Sequence, residues 1–582
     1  MRLSLQNRIN QYTRYASQVL GVIAFTTLFM KYGFHLSERL MTDLIIIDEF
    51  IAGFFVLILL TNFFVSDQKW KFIKESPFEM ILMILFIVSI ILEEIISIEE
   101  PHYLLKRATT HNFIKLYFII IQIYIVINGI IALTRAREKW LYFSLSPARI
   151  IVISYFLMIV TGTLILKLPK ATYQGISWVD AFFTSTSAVC ITGLSTLNIS
   201  RVFTFEGQVF IMILIQIGGL GIITLTSFIA LFIQRGLRLR DQLIVQELFD
   251  SENFNSLASI LKAIIAITFS MELVGAVALF VTWNDLGLSE FERIFSAVFH
   301  SVSAFCNAGF SIFPNGLETS GMQFSSISLM VLMALIVAGG IGFYTFSDLL
   351  HIGDLKQTGK RRLSLQSRII LVTSLGLILF GAILIWVIEK PYWHNLSIGK
   401  QVINSFFLSV TSRTAGFSNV SIAGMAVPAL MVIVFLMYIG GAPNSSSGGI
   451  KITTFVTVIA SIRSYITGRD KVEIGWNHIS ARTVKRALIV ILVSFILIFV
   501  SLLILTLTEE QDFFDLFFET ISAFGTVGLS RGVTPLLSNA GKIIIALVMF
   551  AGRIGLFTFA IAVVEEREQD AYSFPEIDLM VG

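Results

Sequence analysis

Charge is scarce in this sequence. Asp, Glu, Lys and Arg make up 14% of its 582 residues, where soluble chains carry about a quarter. That shortage excludes a water-soluble enzyme of ordinary surface, a coiled coil and a disordered chain. The balance of 42 basic against 39 acidic residues leaves a net charge of +3, too little to imply nucleic acid. Two cysteines, Cys190 and Cys306, make neither a disulfide framework nor a metal set. Seven scattered histidines form no catalytic cluster. No GxxxxGK[ST] phosphate loop and no large soluble domain appear, which excludes a self-contained ATP-driven pump and argues against enzymatic activity. No covalent cofactor is called for, and no cleavable signal peptide is visible at the basic start MRLSLQNRINQYTRYASQ. What is abundant is apolar surface: 55% hydrophobic residues and a mean hydropathy of +0.82. An all-α polytopic membrane protein surrounded by lipid remains.

Apolar stretches long enough to span a bilayer fall at 15–34, 44–65, 78–97, 113–134, 149–168, 207–233, 257–283, 325–350, 367–388, 426–460, 484–507 and 540–564. Loops rich in Lys and Arg alternate with poorer, often acidic ones, and the N-terminus lies on the basic side. Both termini are therefore expected in the cytoplasm. RLSLQNRI at 2–9 recurs as RLSLQSRI at 362–369, a shared cytoplasmic anchor or a coincidence. Residues 1–148 read as a four-helix membrane bundle. Its fourth helix holds only Lys115 within 113–133, so it lacks the repeated cations of a voltage sensor. A scaffold or a docking bundle for a partner is expected.

From residue 149 the chain repeats itself four times, over 149–240, 241–360, 361–475 and 476–582. Each unit predicts a long apolar helix, a shorter amphipathic helix, a tight glycine segment and a second long helix. The tight segments are SAVCITGLS, SAFCNAGFS, TSRTAGFS and SAFGTVGLS, aligned on Gly193, Gly309, Gly416 and Gly528 at spacings of 116, 107 and 112 residues. The second helices repeat as IGGLGI (217–222), AGGIGF (338–343), IGGAPN (439–444) and AGRIGL (551–556), beginning their glycines 25, 30, 24 and 24 residues later. Non-helical glycine backbone inside a bilayer is tolerated only where it is buried or lines water. Four such segments on one axis supply the ring of carbonyls that replaces a cation's hydration shell, and glycine permits the backbone angles this needs. Cys190 and Cys306 are small packing residues behind these segments.

CITGLS, CNAGFS, RTAGFS and GTVGLS, with the ending FPEIDLMVG, resemble the Trk/Ktr/HKT superfamily of potassium transporters over residues 149–582, closest to the KtrB and TrkH type of membrane subunit. The resemblance implies four M1–P–M2 units around one pore in the cell membrane. It also implies a homodimer and a cytosolic nucleotide-binding RCK subunit as regulator, so that any nucleotide acts through the partner. Potassium would be held at the filter by Ile191, Thr192 and Gly193, by Asn307, Ala308 and Gly309, by Thr414, Ala415 and Gly416, and by Thr526, Val527 and Gly528. In this superfamily a serine at the first glycine goes with sodium permeation, so Gly193 favours potassium. Sodium transport, sodium-coupled potassium uptake and association with an ATP-binding partner stay open.

Two departures from helix chemistry lie beside the filter. Gly440, Gly441, Pro443, Asn444, Ser445, Gly448 and Gly449, followed by Lys451, interrupt a 35-residue apolar stretch. They read as the family's intramembrane gating loop or as a plain kink between half-helices. Arg553 stands in the middle of IIIALVMFAGRIGLFTFAIAVV, where a charge costs about 2.5–3.5 kcal/mol on insertion scales. It reads as a cation at the pore constriction paired with the gating loop, as the family's matching Arg does, or as half of a structural ion pair. Glu272 and Glu519 are the candidate carboxylates, neither of them a transport site.

Overall fold

The computed structural model describes residues 2–65, 69–70, 80, 147–233, 257–318, 325–350, 363–475, 477–556 and 558. Two compact units emerge, Met1–Ser144 with Leu168–Lys170, and Leu145–Lys167 with Ala171–Gly582.

In the first unit, α1 (Arg2–Gly33) and α2 (Glu38–Val65) pack together. Asp48 is 2% exposed and forms an ion pair with Lys31, so the buried carboxylate is offset by a cation. Apart from residue 80, the helices expected at 78–97 and 113–134, and with them Lys115, lie outside the described residues.

The second unit is also helical. Its described helices of eight or more residues are α3 (Pro147–Leu166), α4 (Trp178–Val189), α5 (Phe205–Ile233), α6 (Leu257–Thr282), α7 (Glu290–Phe305), α8 (Ser326–Gly340) and α9 (Phe343–Leu350). They continue as α10 (Leu365–Glu389), α11 (Ile398–Thr411), α12 (Val427–Tyr438), α13 (Ile452–Ile466), α14 (Ala481–Thr508), α15 (Phe513–Gly525) and α16 (Asn539–Ile554). Among the described residues five helices are long and apolar enough to cross a membrane, and α8 with α9 makes a sixth, bent span. Only 28–44% of each of the five apolar stretches is buried. Leu492, Phe495 and Phe499 of α14 stay at least 57% exposed. Lipid is the solvent such faces require, and the chain is a multi-pass membrane protein.

Four of the shorter helices lead into the glycine segments. α4, α7, α11 and α15 have 12, 16, 14 and 13 residues, below the roughly 20 a span needs. Each lies against the long helix before it and the helix after it. Ser177 and Ser289 accept hydrogen bonds from the first turns of α4 and α7, and Ser289 with Glu292 forms a complete capping box.

Several predicted continuous helices are broken. The 207–233 stretch bends at Gly221 (φ 62°, ψ −160°). The 325–350 stretch turns by 101° between α8 and α9, with Gly342 at φ 83°. The 426–460 stretch is α12, a loop and α13. α16 ends at Ile554, with Gly555 at φ 88°. Hydropathy reports which solvent a segment needs, not whether its helix is continuous. The RLSLQ repeat also diverges: Ser364 caps α10 by accepting from the Ser367 N–H at 3.2 Å, whereas the first copy lies inside α1.

Candidate functional site

The four short helices bring their glycine segments together in a closed ring. A Cβ added to Gly193 would run into the Ala308 carbonyl oxygen and lie 3.2 Å from Gly309 Cα. One on Gly309 would lie 2.5 Å from the Ala415 carbonyl oxygen and 3.0 Å from Gly416 Cα. One on Gly416 would meet Val527 and Gly528, and one on Gly528 would meet Thr192 and Gly193, which returns to the start. Each glycine thus faces the backbone of the next segment at a distance no side chain permits. All four have positive φ, between 69° and 94°.

The route into the ring is set by how the short helices end. In α4 the Thr192 N–H donates to the Ser187 carbonyl at 2.8 Å and the Ile191 N–H to Ala188 at 3.1 Å. Ala308 to Ser303 with Asn307 to Ala304, and Val527 to Ser522 with Thr526 to Ala523, repeat the pattern. This is the Schellman ending, which needs a left-handed residue just past the cap. Glycine usually fills that place. Here it is Ile191 (φ 50°), Asn307 (φ 56°) and Thr526 (φ 49°). Asparagine tolerates this conformation; β-branched residues there are outliers, each costing about 1–3 kcal/mol. Complete burial of Ile191 and Thr526 holds them in place. The third segment ends differently: Ala415 and Gly416 both donate to Thr411, and Thr414 takes the positive φ of 82°. Arg413, equivalent to Cys190, Cys306 and Gly525, donates to the Ser374 carbonyl at 3.1 Å and its hydroxyl at 3.3 Å. The hydroxyls of Thr192, Thr414 and Thr526 are buried and have no hydrogen-bond partner among the described residues.

The second glycine element of each unit lies under this ring. Gly218, Gly339 and Gly552 press against the carbonyls of Val189, Phe305 and Phe524, the last residues or last turn of three short helices, so closely that a Cβ would overlap them. Three residues further along the chain, Gly221, Gly342 and Gly555 have positive φ and break the helices. In the third unit Pro443 occupies that place and Asn444 has φ 58°.

There the chain leaves helix altogether. Ile439 and Ile450 form a parallel bridge, closed by Gly440 N–H to Ile450 O at 2.8 Å and Ile452 N–H to Gly441 O at 3.1 Å. The enclosed loop is tied to the break between α8 and α9. Ala442 N–H donates to Gly340 O at 3.0 Å, Phe343 N–H to Asn444 O at 3.1 Å, and the Ser446 hydroxyl lies 3.2 Å from Phe305 O. Gly448 abuts the Thr526 side chain, and a Cβ on Gly449 would sit 3.2 Å from Gly525 Cα. Lys451 Nζ folds back to Ser447 O at 2.5 Å.

Arg553 reaches across this layer. It is 5% exposed. One terminal nitrogen donates to the Ser446 carbonyl of the loop at 2.7 Å and the other to Gly218 O on α5 at 2.5 Å. Gly219, Gly340 and Gly441 occupy its place in the other three units.

The comparisons with known proteins agree with a transport reading of this geometry. The family model described as TrkH, cation transport protein, matches residues 116–574. The chain belongs to the TrkH family of cation transport proteins. Within it, Ktr system potassium uptake protein B of Bacillus subtilis is 34% identical over 448 residues, covering 76% of this chain and 98% of its own. Potassium/sodium uptake protein NtpJ of Enterococcus hirae is 34% identical over 452 residues, 75% of this chain and 98% of that one. The potassium transporter TrkH from Vibrio parahaemolyticus has the same fold: TM-score 0.61, 19% identity, 77% of this chain and 91% of that one.

In this TrkH-family chain all twelve residues expected at the filter lie on the four converging segments, and the residues expected in the loop lie on the loop beneath. The carboxylate pairing weighed for Arg553 does not occur with Glu519, which accepts from the hydroxyls of Ser530 and Thr534 instead. Glu272 faces Cys306, whose Sγ is 3.8 Å from Oε1. Carbonyls solvate Arg553: the expected pairing with the loop is made through Ser446 O, and sequence reasoning missed only Gly218 on α5 as the second partner. The glycine doublet at 218–219 was visible, but nothing in the sequence marks a carbonyl as an acceptor.

Proposed function

We propose that this chain takes up potassium across the cell membrane through one pore. Its filter is built from Ile191–Gly193, Asn307–Gly309, Thr414–Gly416 and Thr526–Gly528, contributed by four M1–P–M2 units at 149–240, 241–360, 361–475 and 476–582. The observation that carries the reading is the closure of the ring, each filter glycine seated on the backbone of the next. A bare potassium ion needs several oxygen ligands at once. Four equivalent backbones on one axis offer them, at the negative ends of four short helices. The buried hydroxyls of Thr192, Thr414 and Thr526, without protein partners among the described residues, are further ligands of the right chemistry.

The loop from Gly440 to Gly449 serves as the gate and Arg553 as its latch, because the guanidinium ties the loop's Ser446 to the neighbouring helix. The N-terminal 148 residues form a separate helical bundle, both termini are cytoplasmic, and the transporter works as a homodimer. A cytosolic RCK-type subunit controls the gate and carries any regulatory nucleotide. The name of the Bacillus subtilis relative, a component of a Ktr system, supports a partner. The test is growth and potassium uptake at low external potassium in cells lacking their own uptake systems. Expression of this chain should restore both, and failure of the correctly inserted chain to restore either, with or without its regulatory subunit, would overturn the reading.

Sodium transport or sodium-coupled potassium uptake is the second reading, favoured by the potassium/sodium uptake protein among the relatives. Potassium uptake measured with and without external sodium separates the two.

A further inference from the structure

Each of the four segments carries a serine two residues after its glycine: Ser195, Ser311, Ser418 and Ser530. These hydroxyls are treated unequally. Ser195 donates to Leu197 O at 2.5 Å and Ser418 to Val420 O, each within its own turn, and Ser418 also lies 3.4 Å from the Glu318 carboxylate, which is not on a short helix. Ser311 and Ser530 are instead gripped from behind by the preceding short helix. His300 Nε2 lies 2.8 Å from the Ser311 hydroxyl, and the Glu519 carboxylate accepts from the Ser530 hydroxyl. His300 and Glu519 are equivalent positions, nine residues before Gly309 and Gly528. The same position in the other two units holds Thr184 and Phe407. Thr184 Oγ1 has no partner among the described residues, and phenylalanine offers no polar atom.

The hydrogen-bond chemistry fixes the direction of both grips. His300 Nδ1 lies 2.8 Å from the Ser296 carbonyl, which can only accept, so Nδ1 carries a proton and in the neutral imidazole Nε2 is a bare acceptor. Ser311 must donate to it, which leaves its oxygen to accept the Phe313 N–H at 3.2 Å. Ser530 donates to Glu519 and accepts the Gly532 N–H at 2.9 Å. Thr534 donates to the other carboxylate oxygen at 2.9 Å. Both braces are fully buried and use the same two-sided serine. They act on the second and fourth segments, which lie opposite each other in the ring.

We propose that Glu519 and His300 are positioning residues for ion selectivity, each holding the outer end of a filter segment through its serine so that the positive-φ glycine two residues earlier keeps its orientation. The inference rests on the filter assignment. Its role for Glu519 is the acceptor geometry and not the negative charge.

The test is potassium and sodium uptake by Glu519→Ala, Glu519→Gln, Ser530→Ala and His300→Ala proteins, with Gly528→Ser as the reference for the filter itself. Loss of the buried acceptor strands the Ser530 hydroxyl proton, while Thr534 can still donate to Ser530 at 3.1 Å, so Glu519→Ala should reduce potassium-over-sodium selectivity about tenfold. Ser530→Ala should do the same to a smaller extent, His300→Ala should shift it in the same direction, and Glu519→Gln, which keeps one carbonyl acceptor for Ser530 and turns its NH2 toward the Thr534 hydroxyl, should fall much closer to wild type than Glu519→Ala. If Gly528→Ser shifts selectivity while Glu519→Ala and Ser530→Ala leave it unchanged, the brace is wrong and the filter stands. If Gly528→Ser is also silent, the filter assignment itself falls. Equal losses in Glu519→Ala and Glu519→Gln with Ser530→Ala silent would make the charge the active property and overturn positioning. Ser530→Ala and Glu519→Gln change little volume, so they decide the matter even where Glu519→Ala fails to insert.

Discussion

The ring of glycine segments and the layer directly beneath it are built from the same four units, yet they treat the repeat in opposite ways. In the ring the pattern returns four times, each glycine on the next segment's backbone. Beneath it the pattern is broken in two places. Arg553 stands where the other units have Gly219, Gly340 and Gly441, and the loop at Pro443 replaces the helix break seen at Gly221, Gly342 and Gly555. On the proposed reading the difference follows from the two tasks. Replacing a hydration shell needs ligands on all sides of the ion. Closing a pore needs one obstacle, and one charged hydrogen-bonded anchor to hold it.

Removing the obstacle gives the largest expected effect below the ring. Shortening the segment Gly440–Gly449 should leave potassium selectivity intact and raise the flux of purified, reconstituted protein well beyond that of the intact chain. Unchanged flux would remove the gate assignment and leave the ring untouched. Arg553→Ala comes next. It deletes two hydrogen bonds from a charged donor, each worth about 1.5–3 kcal/mol. Destabilising the closed loop by one such bond corresponds to roughly a tenfold gain in flux. A variant that transports at the wild-type rate would show that the loop is held by its other contacts, such as Ala442 to Gly340 and Ser446 to Phe305. The smallest effect is the control. Ser364→Ala removes the cap of α10, costing about 1 kcal/mol of stability. It should lower the thermal midpoint in detergent while flux and selectivity per folded molecule stay constant. A change in selectivity there would mean that stability and filtering cannot be separated in this protein.

The ring was far more legible in the sequence than the layer below it, and the reason is geometric. Positive φ and backbone-to-backbone contact both demand glycine, so Gly193, Gly309, Gly416 and Gly528 leave a mark that can be aligned. The loop left a similar mark through Pro443 and its flanking glycines. Left-handed Ile191 and Thr526 left none, because nothing about either residue type suggests that conformation. The breaks inside 207–233 and 325–350 were hidden by hydropathy, which is indifferent to a bent helix as long as both halves are apolar. Arg553 was conspicuous as a buried charge and its pairing with the loop was legible, but the Gly218 carbonyl on α5 was not, because no residue type marks a carbonyl as an acceptor. Glu519 stood out as a carboxylate in an apolar setting, but its kinship with His300 showed only after the four segments had been aligned, as two ionisable groups at one shared distance from the glycine.

The central claim is that four glycines of one chain form a single cation filter. The direct measurement is the potassium-to-sodium uptake ratio of Gly193→Ser, Gly309→Ser, Gly416→Ser and Gly528→Ser proteins, made one at a time and reconstituted in vesicles. All four should lose discrimination against sodium, because each added side chain displaces the backbone of the next segment. A ratio equal to wild type at any one of the four would contradict a filter shared by all of them.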